Sequence, residues 1–273
     1  MNIGKWQVFA LCTFDRCKPG GVERQADVAD VIETNASGWP AALAPGRTHA
    51  LVLDSSRRAR QHGGMTETIA RLHIALADTD PLIWRRVEVP VEASLKMLHD
   101  IIQGAMGWLD CHLWEFKADD KRYGLPDPGW ADDSLFAARN IKLKSLLDRG
   151  ISQLTYTYDM GDNWEHIVTV ETAEAGHPDT GYPRYVDGER RVPLEDIGGP
   201  PGFEDFLDAI AKPKSRGHKD AVEWHRGCYG EDFVPDQINE RVAKLRIGEI
   251  AKRRAAGKSA YAKRQSSSSR LRT

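Results

Sequence analysis

Alternating apolar residues in the segment TIARLHIALAD constrain the fold of this chain more than any other feature. Leu72, Ile74 and Leu76 alternate against Arg71 and His73, which is the period of a β-strand with one buried face. The DTDP sequence at 78–81 then supplies turn-forming Asp side chains and a Pro, and LIWRRVEVP resumes a strand-like pattern. The sequence therefore predicts an antiparallel hairpin.

A helix is predicted directly after this hairpin. Ser94 is a typical N-cap, apolar residues recur on one helical face from Leu95 to Met106, and Gly107 can end the helix in the left-handed conformation. Short strand-like segments follow, and further helical patterns begin after residue 202. Strands with helices gathered afterwards indicate an α+β fold. The predicted order is ββαβ(β)ββ, a mixed sheet with a C-terminal helical segment.

Composition divides the chain into three segments. Residues 1–65 sustain neither a helical nor a strand period, so we predict a disordered or poorly packed N-terminal extension, and the abrupt change at Met65 is compatible with a start of translation there. Residues 66–250 form the predicted α+β domain. Residues 251–273 contain eight Lys or Arg and no acid, although the whole chain carries 38 basic and 40 acidic residues. We predict a basic, disordered tail.

This basic tail has two interpretations. It can contact the phosphates of DNA through residues 252–273, or an acidic protein partner. Alternatively it is a solvated end without a partner, because the SSSS sequence within it has no packing pattern.

The rest of the composition bears on location. No window approaches 18 consecutive apolar residues, so no membrane span is predicted, and the N-terminus lacks a secretory pattern. The four cysteines, Cys12, Cys17, Cys111 and Cys228, include no C-x-x-C pair and are typical of scattered reduced thiols. We expect a cytoplasmic protein.

Residues 158–166, with the sequence YDMGDNWEH, contain the densest group of polar residues between two strand-like segments. Strand alternation places Trp164 and His166 on the apolar face. Gly161 suits a positive φ, and Asp159 and Asp162 can bond neighbouring backbone amides. A structural hairpin with a core Trp and a core His accounts for most of this segment, and we favour it.

The alternative interpretation of this segment is a divalent-metal site. Its ligands would be Asp159, Asp162 and His166, with Glu165, Glu195 and Asp196 as further candidates. Strand alternation separates Glu165 and His166 onto opposite faces, which argues against convergence. No cofactor is therefore favoured, and a divalent metal stays the alternative.

Arg85 and Arg86 lie on opposite faces of the second predicted strand, so one of them must bury its stem or meet an acid. We favour an ion pair with Asp159 or Asp162 over a phosphate clamp. Trp164 and the other tryptophans of the domain can stack nucleotide bases, but positions on strands and helix ends favour a core role.

Glu195 and Asp196 precede a Gly-rich turn at the start of a predicted helix, PLEDIGGPPGF. Free amides at a helix start can bind an anion. The segment lacks the Lys and Ser/Thr of a phosphate-binding loop, and its acids would repel phosphate. We favour a helix-entry loop.

Six ordered stretches resemble one family: DPLIWRRVEVP, LHDIIQGAMGW, HLWEF, YTYDMGDNWEHIVTVE, YPRYVDGERRVPLEDIGGPPGFEDFL and FVPDQINERVAKL. Together they are similar to the plasmid pRiA4b ORF-3-like family, some of whose members are described as TnpR-like passenger proteins of insertion elements. The resemblance covers about residues 66–247. It implies a compact α+β fold of roll or β-grasp-like type and no established reaction.

Two departures from the family pattern are visible. Tyr185 stands where many relatives carry Cys, which weakens a thiolate site in that loop. Trp114 stands where a second His is common, which reduces the ligands near His112.

Recombinase catalysis is not supported by these residues. None of the nine histidines has an Arg three residues later, as tyrosine recombinases need, and the serines of the domain are few and in caps or loops. Our first hypothesis is a non-enzymatic accessory protein of plasmid or mobile DNA, which presents a sheet face or the 159–163 loop to a protein or nucleic acid. The second is a metal-assisted hydrolase using Asp159, Asp162, His166, Glu195 and Asp196.

Overall fold

The computed structural model of this chain describes residues 66–126 and 134–270, with side chains described up to residue 264. Residues 1–65, for which we predicted a poorly packed extension, lie outside this range. The described residues form a β-sheet with helices on it, and the hydrophobic core lies between the sheet and the helices.

Eight strands of the described residues form one sheet. They are β1 (Thr68–Leu76), β2 (Ile83–Pro90), β3 (Trp114–Ala118), β4 (Lys121–Gly124), β5 (Leu135–Ala137), β6 (Gln153–Tyr158), β7 (Trp164–Ala175) and β8 (Arg184–Glu189). Their order across the sheet is β5, β4, β3, β6, β7, β1, β2, β8. Neighbours pair antiparallel except β4 and β5, which are parallel. This mixed sheet confirms the predicted α+β class.

The first predicted hairpin is formed by β1 and β2, with Leu76 opposite Ile83. Its alternating Leu and Ile residues in β1 are fully buried, as the period of two predicts. The edge strands β5 and β8 are absent from the predicted order. In β8 the register with β2 shifts between Arg86 and Val87, and a shift of this kind interrupts the alternation by which a strand is recognised.

Five α-helices complete the described residues: α1 (Leu95–Met106), α2 (Leu143–Leu147), α3 (Gly199–Ile210), α4 (Arg216–Tyr229) and α5 (Glu240–Arg270). The caps predicted for α1 are present. The Ser94 side chain accepts a hydrogen bond from the Met97 amide, and Gly107 adopts the left-handed conformation with φ 89°. Helix α1 packs against α5, where a Cβ on Gly104 would lie 3.4 Å from Ile247 Cγ1.

Helix α5 differs from the predicted tail. We predicted disorder from residue 251, whereas the helix runs on to Arg270. Ala, Lys and Arg are strong helix formers, and the segment contains no Pro. Arg254 and Lys258 also contact Glu67, directly before β1, which holds this part of the helix to the domain.

Cys228 is a free thiol. Across residues 66–126 and 134–270, none of the helices has the length and apolar character needed to cross a membrane.

Candidate functional site

The hairpin predicted around residues 158–166 is formed by β6 and β7, with Tyr158 opposite Trp164. Asp159 adopts a positive φ of 58°, which Asp tolerates better than most residues. Its Oδ1 atom accepts hydrogen bonds from the amides of Gly161 (2.9 Å) and Asp162 (3.3 Å). One carboxylate oxygen of Asp159 therefore organises the turn, and the other, Oδ2, is directed elsewhere.

His166 lies in the core, away from this turn. It is fully buried, and its ring packs against Trp108 and Tyr156 at centroid distances of 5.2 and 5.3 Å. The Nδ1–H group donates to the carbonyl oxygens of Trp164 (3.0 Å) and Tyr156 (3.2 Å). Burial lowers the pKa of His166 to about 4, so the ring is neutral at pH 7. The structure does not bring His166 to the acids with which we grouped it.

The other members of the predicted hairpin follow strand alternation. Trp164 is buried beside His166, and Glu165 lies half-buried on the opposite face of β7. Neither residue joins a metal-ligand group.

Arg85 does not form the ion pair that we favoured. It is buried, and its guanidinium donates to four backbone carbonyls, those of Trp84 (2.7 Å), Ala105 (3.2 Å), Glu189 (2.7 Å) and Arg190 (2.8 Å). Burial lowers its pKa to about 10. Since these contacts occupy most of its five N–H donors, Arg85 holds α1 and the end of β8 together and is not a phosphate clamp.

Arg86 forms an ion pair, but with acids that we did not predict. Its guanidinium bonds Glu171 at 2.8 Å and Asp187 at 2.8 Å, on strands β7 and β8. The group also lies 4.9 Å above the Trp84 ring. Both arginines are therefore structural, and neither contacts Asp159 or Asp162 as proposed.

A group of one histidine and two carboxylates converges at the open end of the β3–β6 pair. His112 Nε2 lies 3.5 Å from Asp159 Oδ2 and 3.3 Å from Asp196 Oδ1. The three atoms all lie within 4.8 Å of one another. Asp159 is buried, while His112 and Asp196 are partly exposed, so the group lies near the surface although the His112 Nε2 atom itself is buried.

Strand pairing explains why these residues meet. Trp114 of β3 lies opposite Tyr158 of β6. The Asp159 amide continues the ladder by donating to the Leu113 carbonyl at 2.9 Å. Residues that directly precede β3 and directly follow β6 are therefore neighbours, and His112 reaches Asp159. The loop between β8 and α3 brings Asp196 to the same point.

Sequence reasoning predicted two members of this group and gave too little weight to the third. We named Asp159 and Asp196 as candidate ligands, but selected His166 as the imidazole. We named His112 only as the residue near which Trp114 replaces a second His of the family pattern. The signal that identifies His112 is its place just before β3, whose partner strand β6 ends directly before Asp159.

Among the described residues, the His112 imidazole has one buried nitrogen without a hydrogen bond, a property that the Nε2 atoms of His166 and His225 share. Within the described part of the chain, its Nε2 atom is buried and makes no hydrogen bond of good geometry. Its ring packs edge-on against Tyr158 at 5.7 Å. A nitrogen without a hydrogen bond that lies between two carboxylate oxygens is positioned as a ligand atom directed at a point shared with them.

Two further acids, Glu195 and Asp162, accept hydrogen bonds that hold the loops around this group. Glu195 is buried, and its Oε1 atom accepts hydrogen bonds from the Tyr158 hydroxyl (2.7 Å) and the Leu109 amide (3.0 Å). Asp162 Oδ2 accepts from the Gly198 amide at 3.2 Å. Burial raises the pKa of both carboxyls. These acids fix the loops around His112 and Asp196.

The loop that carries His112 is fixed at several points. Asp110 accepts a hydrogen bond from His99 Nε2 at 2.8 Å, and the Cys111 amide donates to the Tyr158 hydroxyl at 3.0 Å. At the Asp196 side, Gly199 has φ 68°, and a Cβ there would lie 2.5 Å from the Asp162 carbonyl oxygen. Only glycine fits this position, and the site is preorganised.

The spacing of the group suits a metal ion. Tetrahedral coordination with bonds of about 2.0–2.1 Å places neighbouring ligand atoms about 3.4 Å apart. The two distances from His112 Nε2 to the carboxylates, 3.3 and 3.5 Å, have this length. An imidazole nitrogen with two carboxylate oxygens suits Zn²⁺, and also Mn²⁺ or Fe²⁺.

Known proteins resemble this chain over most of its described residues. It is 36% identical over 187 residues to the uncharacterised protein y4hQ of Sinorhizobium fredii, which covers 68% of this chain and 94% of that protein. Its fold is similar to the crystal structure of MM3350, a protein of unknown function from Methanosarcina mazei, with a TM-score of 0.58 and 29% identity over 64% of this chain and 97% of that one. The family model of plasmid pRiA4b ORF-3-like proteins matches residues 68–241, and the chain belongs to this family.

Proposed function

We propose that this protein binds a divalent transition-metal ion through His112, Asp159 and Asp196 and uses it for hydrolysis. The observation that carries the proposal is the convergence of the orphaned His112 Nε2 atom with two carboxylate oxygens from separate loops. Zn²⁺ is the favoured ion because it accepts imidazole and carboxylate ligands together.

Three protein ligands leave a coordination position for water, as in catalytic zinc sites. A bound metal ion lowers the pKa of such a water and makes it nucleophilic near neutral pH. Asp162 lies three residues after Asp159 in the same turn, and burial raises the pKa of its carboxyl. Asp162 would be the group that accepts a proton from such a water.

The accessory role that the sequence favoured is a second proposal, supported by a different observation. Leu113 and Met160, which flank His112 and Asp159, are 61% and 46% exposed. Exposed apolar side chains beside a fixed polar group are typical of protein-binding surfaces. In this role the 159–163 loop is held by a bound metal ion, or by the contacts among His112, Asp159 and Asp196 alone, and it presents Met160 to a protein partner. That partner would be associated with plasmid or mobile DNA.

Metal binding is tested on the full-length protein after removal of metal by a chelator. Isothermal titration with Zn²⁺ and then Mn²⁺ is compared between the wild type, His112→Gln and Asp159→Asn. The matched control is His177→Gln, since His177 is an exposed histidine 4.0 Å from Asp179. We expect one ion per chain in the wild type and the control, and none in the two site variants.

A wild type that binds neither ion would overturn the metal site and leave His112 as a side chain in contact with two carboxylates. Binding that persists equally in all variants would place the metal elsewhere.

Catalysis is tested separately with bis-p-nitrophenyl phosphate and p-nitrophenyl acetate as chromogenic probes. Turnover that needs metal and is lost in Asp162→Asn supports the hydrolase proposal. Stoichiometric metal without turnover of either probe favours the accessory role.

A further inference from the structure

The part of α5 after Ala251 carries the most concentrated positive charge among the described residues. Its side chains described up to residue 264 include six cations, Lys252, Arg253, Arg254, Lys258, Lys263 and Arg264, and the sequence has no acid from Ala251 to its end. All six are exposed except Arg254, which is half-buried. The rest of the chain has more acidic than basic residues, so the charge belongs to this helix.

The helix period separates these cations into two faces. At about 100° per residue, Arg254 and Lys258 lie together, and both contact Glu67 beside β1. The other four fall within an arc of about 120° on the opposite side. One face of the helix is therefore held to the domain, and the exposed Lys252, Arg253, Lys263 and Arg264 lie on the other face.

The face that carries Lys252, Arg253, Lys263 and Arg264, called the outer face, has charges arranged to suit a polyanion. Its cations form two pairs, Lys252 with Arg253 and Lys263 with Arg264, about 16 Å apart along the axis at a rise of about 1.5 Å per residue. Lys252 also bonds Glu249, one turn earlier in the helix, at 2.6 Å. Ala256 and Ala260 lie between the pairs on the same arc. The small residues allow close approach, and the separation lets the pairs reach phosphates on both sides of a major groove about 12 Å wide.

A membrane surface fits this helix poorly. Residues 251–265 contain no Leu, Ile, Val, Phe, Met or Trp, and Tyr261 is the one large ring. Helices that lie in a membrane interface need an apolar face as well as a basic one. A basic helix without an apolar face is typical of proteins that bind the phosphate backbone of nucleic acids.

We infer that the outer face of α5 is a binding surface for duplex DNA. The contacts are to phosphates, so affinity depends strongly on salt and little on base sequence. This surface is independent of the metal site, which lies in loops of other elements.

Fluorescence anisotropy with the full-length protein and labelled duplexes of unrelated sequence tests this inference. The variant replaces Lys252, Arg253, Lys263 and Arg264 by Gln, which keeps helix propensity and removes four charges. The control removes four charges elsewhere, by replacing Lys212, Lys214, Arg216 and Lys219 with Gln. Circular dichroism verifies that both variants keep the helical signal.

We expect the wild type and the control each to bind all the duplexes with similar affinity. The logarithm of the association constant should fall linearly with the logarithm of the salt concentration. In the α5 variant the slope decreases in magnitude by about 3 to 4, since each lost phosphate contact removes about 0.9. Binding by the variant at wild-type strength, or an equal loss in the control, would overturn the surface. If polyglutamate competes more strongly than DNA, the partner is an acidic protein instead of DNA. If the protein floats with anionic phosphatidylserine vesicles and DNA does not reverse this, the partner is a membrane.

Discussion

His112 Nε2 lies 3.5 Å from Asp159 Oδ2 because the strands next to them, β3 and β6, pair in the sheet, although 46 residues separate the two positions in the chain. The Asp159 amide bonds the Leu113 carbonyl, so the two side chains leave the sheet at the same end. Asp159 also fixes the following turn through its second carboxylate oxygen. One acid thus links the hairpin to the candidate site.

Metal removal provides the first prediction. A ligand that binds only the folded state stabilises it, by about 2.7 kcal/mol at one hundred times its dissociation constant. We expect Zn²⁺ to raise the Tm of the metal-free wild type and of His177→Gln, and a chelator to reverse the increase. Asp159→Asn should show no Zn²⁺-dependent increase by differential scanning calorimetry. An equal increase in that variant would contradict the assignment of Asp159 as a ligand.

Arg85 provides a prediction about stability. Arg85→Met removes the donors of four backbone carbonyls in a buried environment, and each unsatisfied buried group costs about 1–3 kcal/mol. We expect a loss of at least about 3 kcal/mol in the free energy of unfolding, measured by urea denaturation. Arg86→Met is the control. Its ion pairs are partly exposed, so its loss should be about 1 kcal/mol or less. Equal losses would contradict the carbonyl-binding role of Arg85.

His166 gives a pH dependence with a defined sign. Its folded-state pKa, about 4, is below the value of about 6.5 for an unperturbed His, so the unfolded state binds more protons between these values. The stabilisation is fully present above about pH 6.5 and is lost as pH falls toward 4. Since one pKa unit corresponds to about 1.4 kcal/mol, this group contributes about 3 kcal/mol to the change.

The measurement is urea unfolding of the wild type and His166→Asn from pH 7.5 to 4.5. Asn can still donate to the strand carbonyls but does not titrate, so its stability should fall less steeply with decreasing pH. His99 and His225, whose pKa values burial also lowers, are retained in both proteins. Parallel curves for the two proteins would show that His166 does not titrate in this way.

Two glycines provide a pair of opposite predictions. Gly199→Ala places a Cβ 2.5 Å from the Asp162 carbonyl oxygen at a positive φ, and we expect a cost of about 1–3 kcal/mol together with weaker Zn²⁺ binding. Gly227 lies within α4 with open space around it, so Gly227→Ala should stabilise by about 0.5–1 kcal/mol. Thermal unfolding and zinc titration of both variants measure the two effects. Unchanged stability in Gly199→Ala would contradict the close approach.

Local features of the sequence predicted much of this fold. The period of two in β1, the Ser94 and Gly107 caps of α1, and the hairpin from Tyr158 to Trp164 all depend on residues near one another in the chain. Strand alternation also predicted the inward position of His166. These features are set by backbone sterics and short-range hydrogen bonds, which a single sequence displays directly.

The sequence by itself determined the strands other than β5 and β8, the caps of α1 and the concentration of positive charge after Ala251. Tertiary structure alone decided that β3 pairs with β6 and that His112, rather than His166, contacts Asp159 and Asp196. It alone decided that Arg85 binds backbone carbonyls while Arg86 forms ion pairs with Glu171 and Asp187. It also decided that contacts with Glu67 hold the basic segment to the domain as a helix. The physical reason is that strand order and loop convergence depend on contacts between residues distant in the chain, and local periodicity carries no information about them.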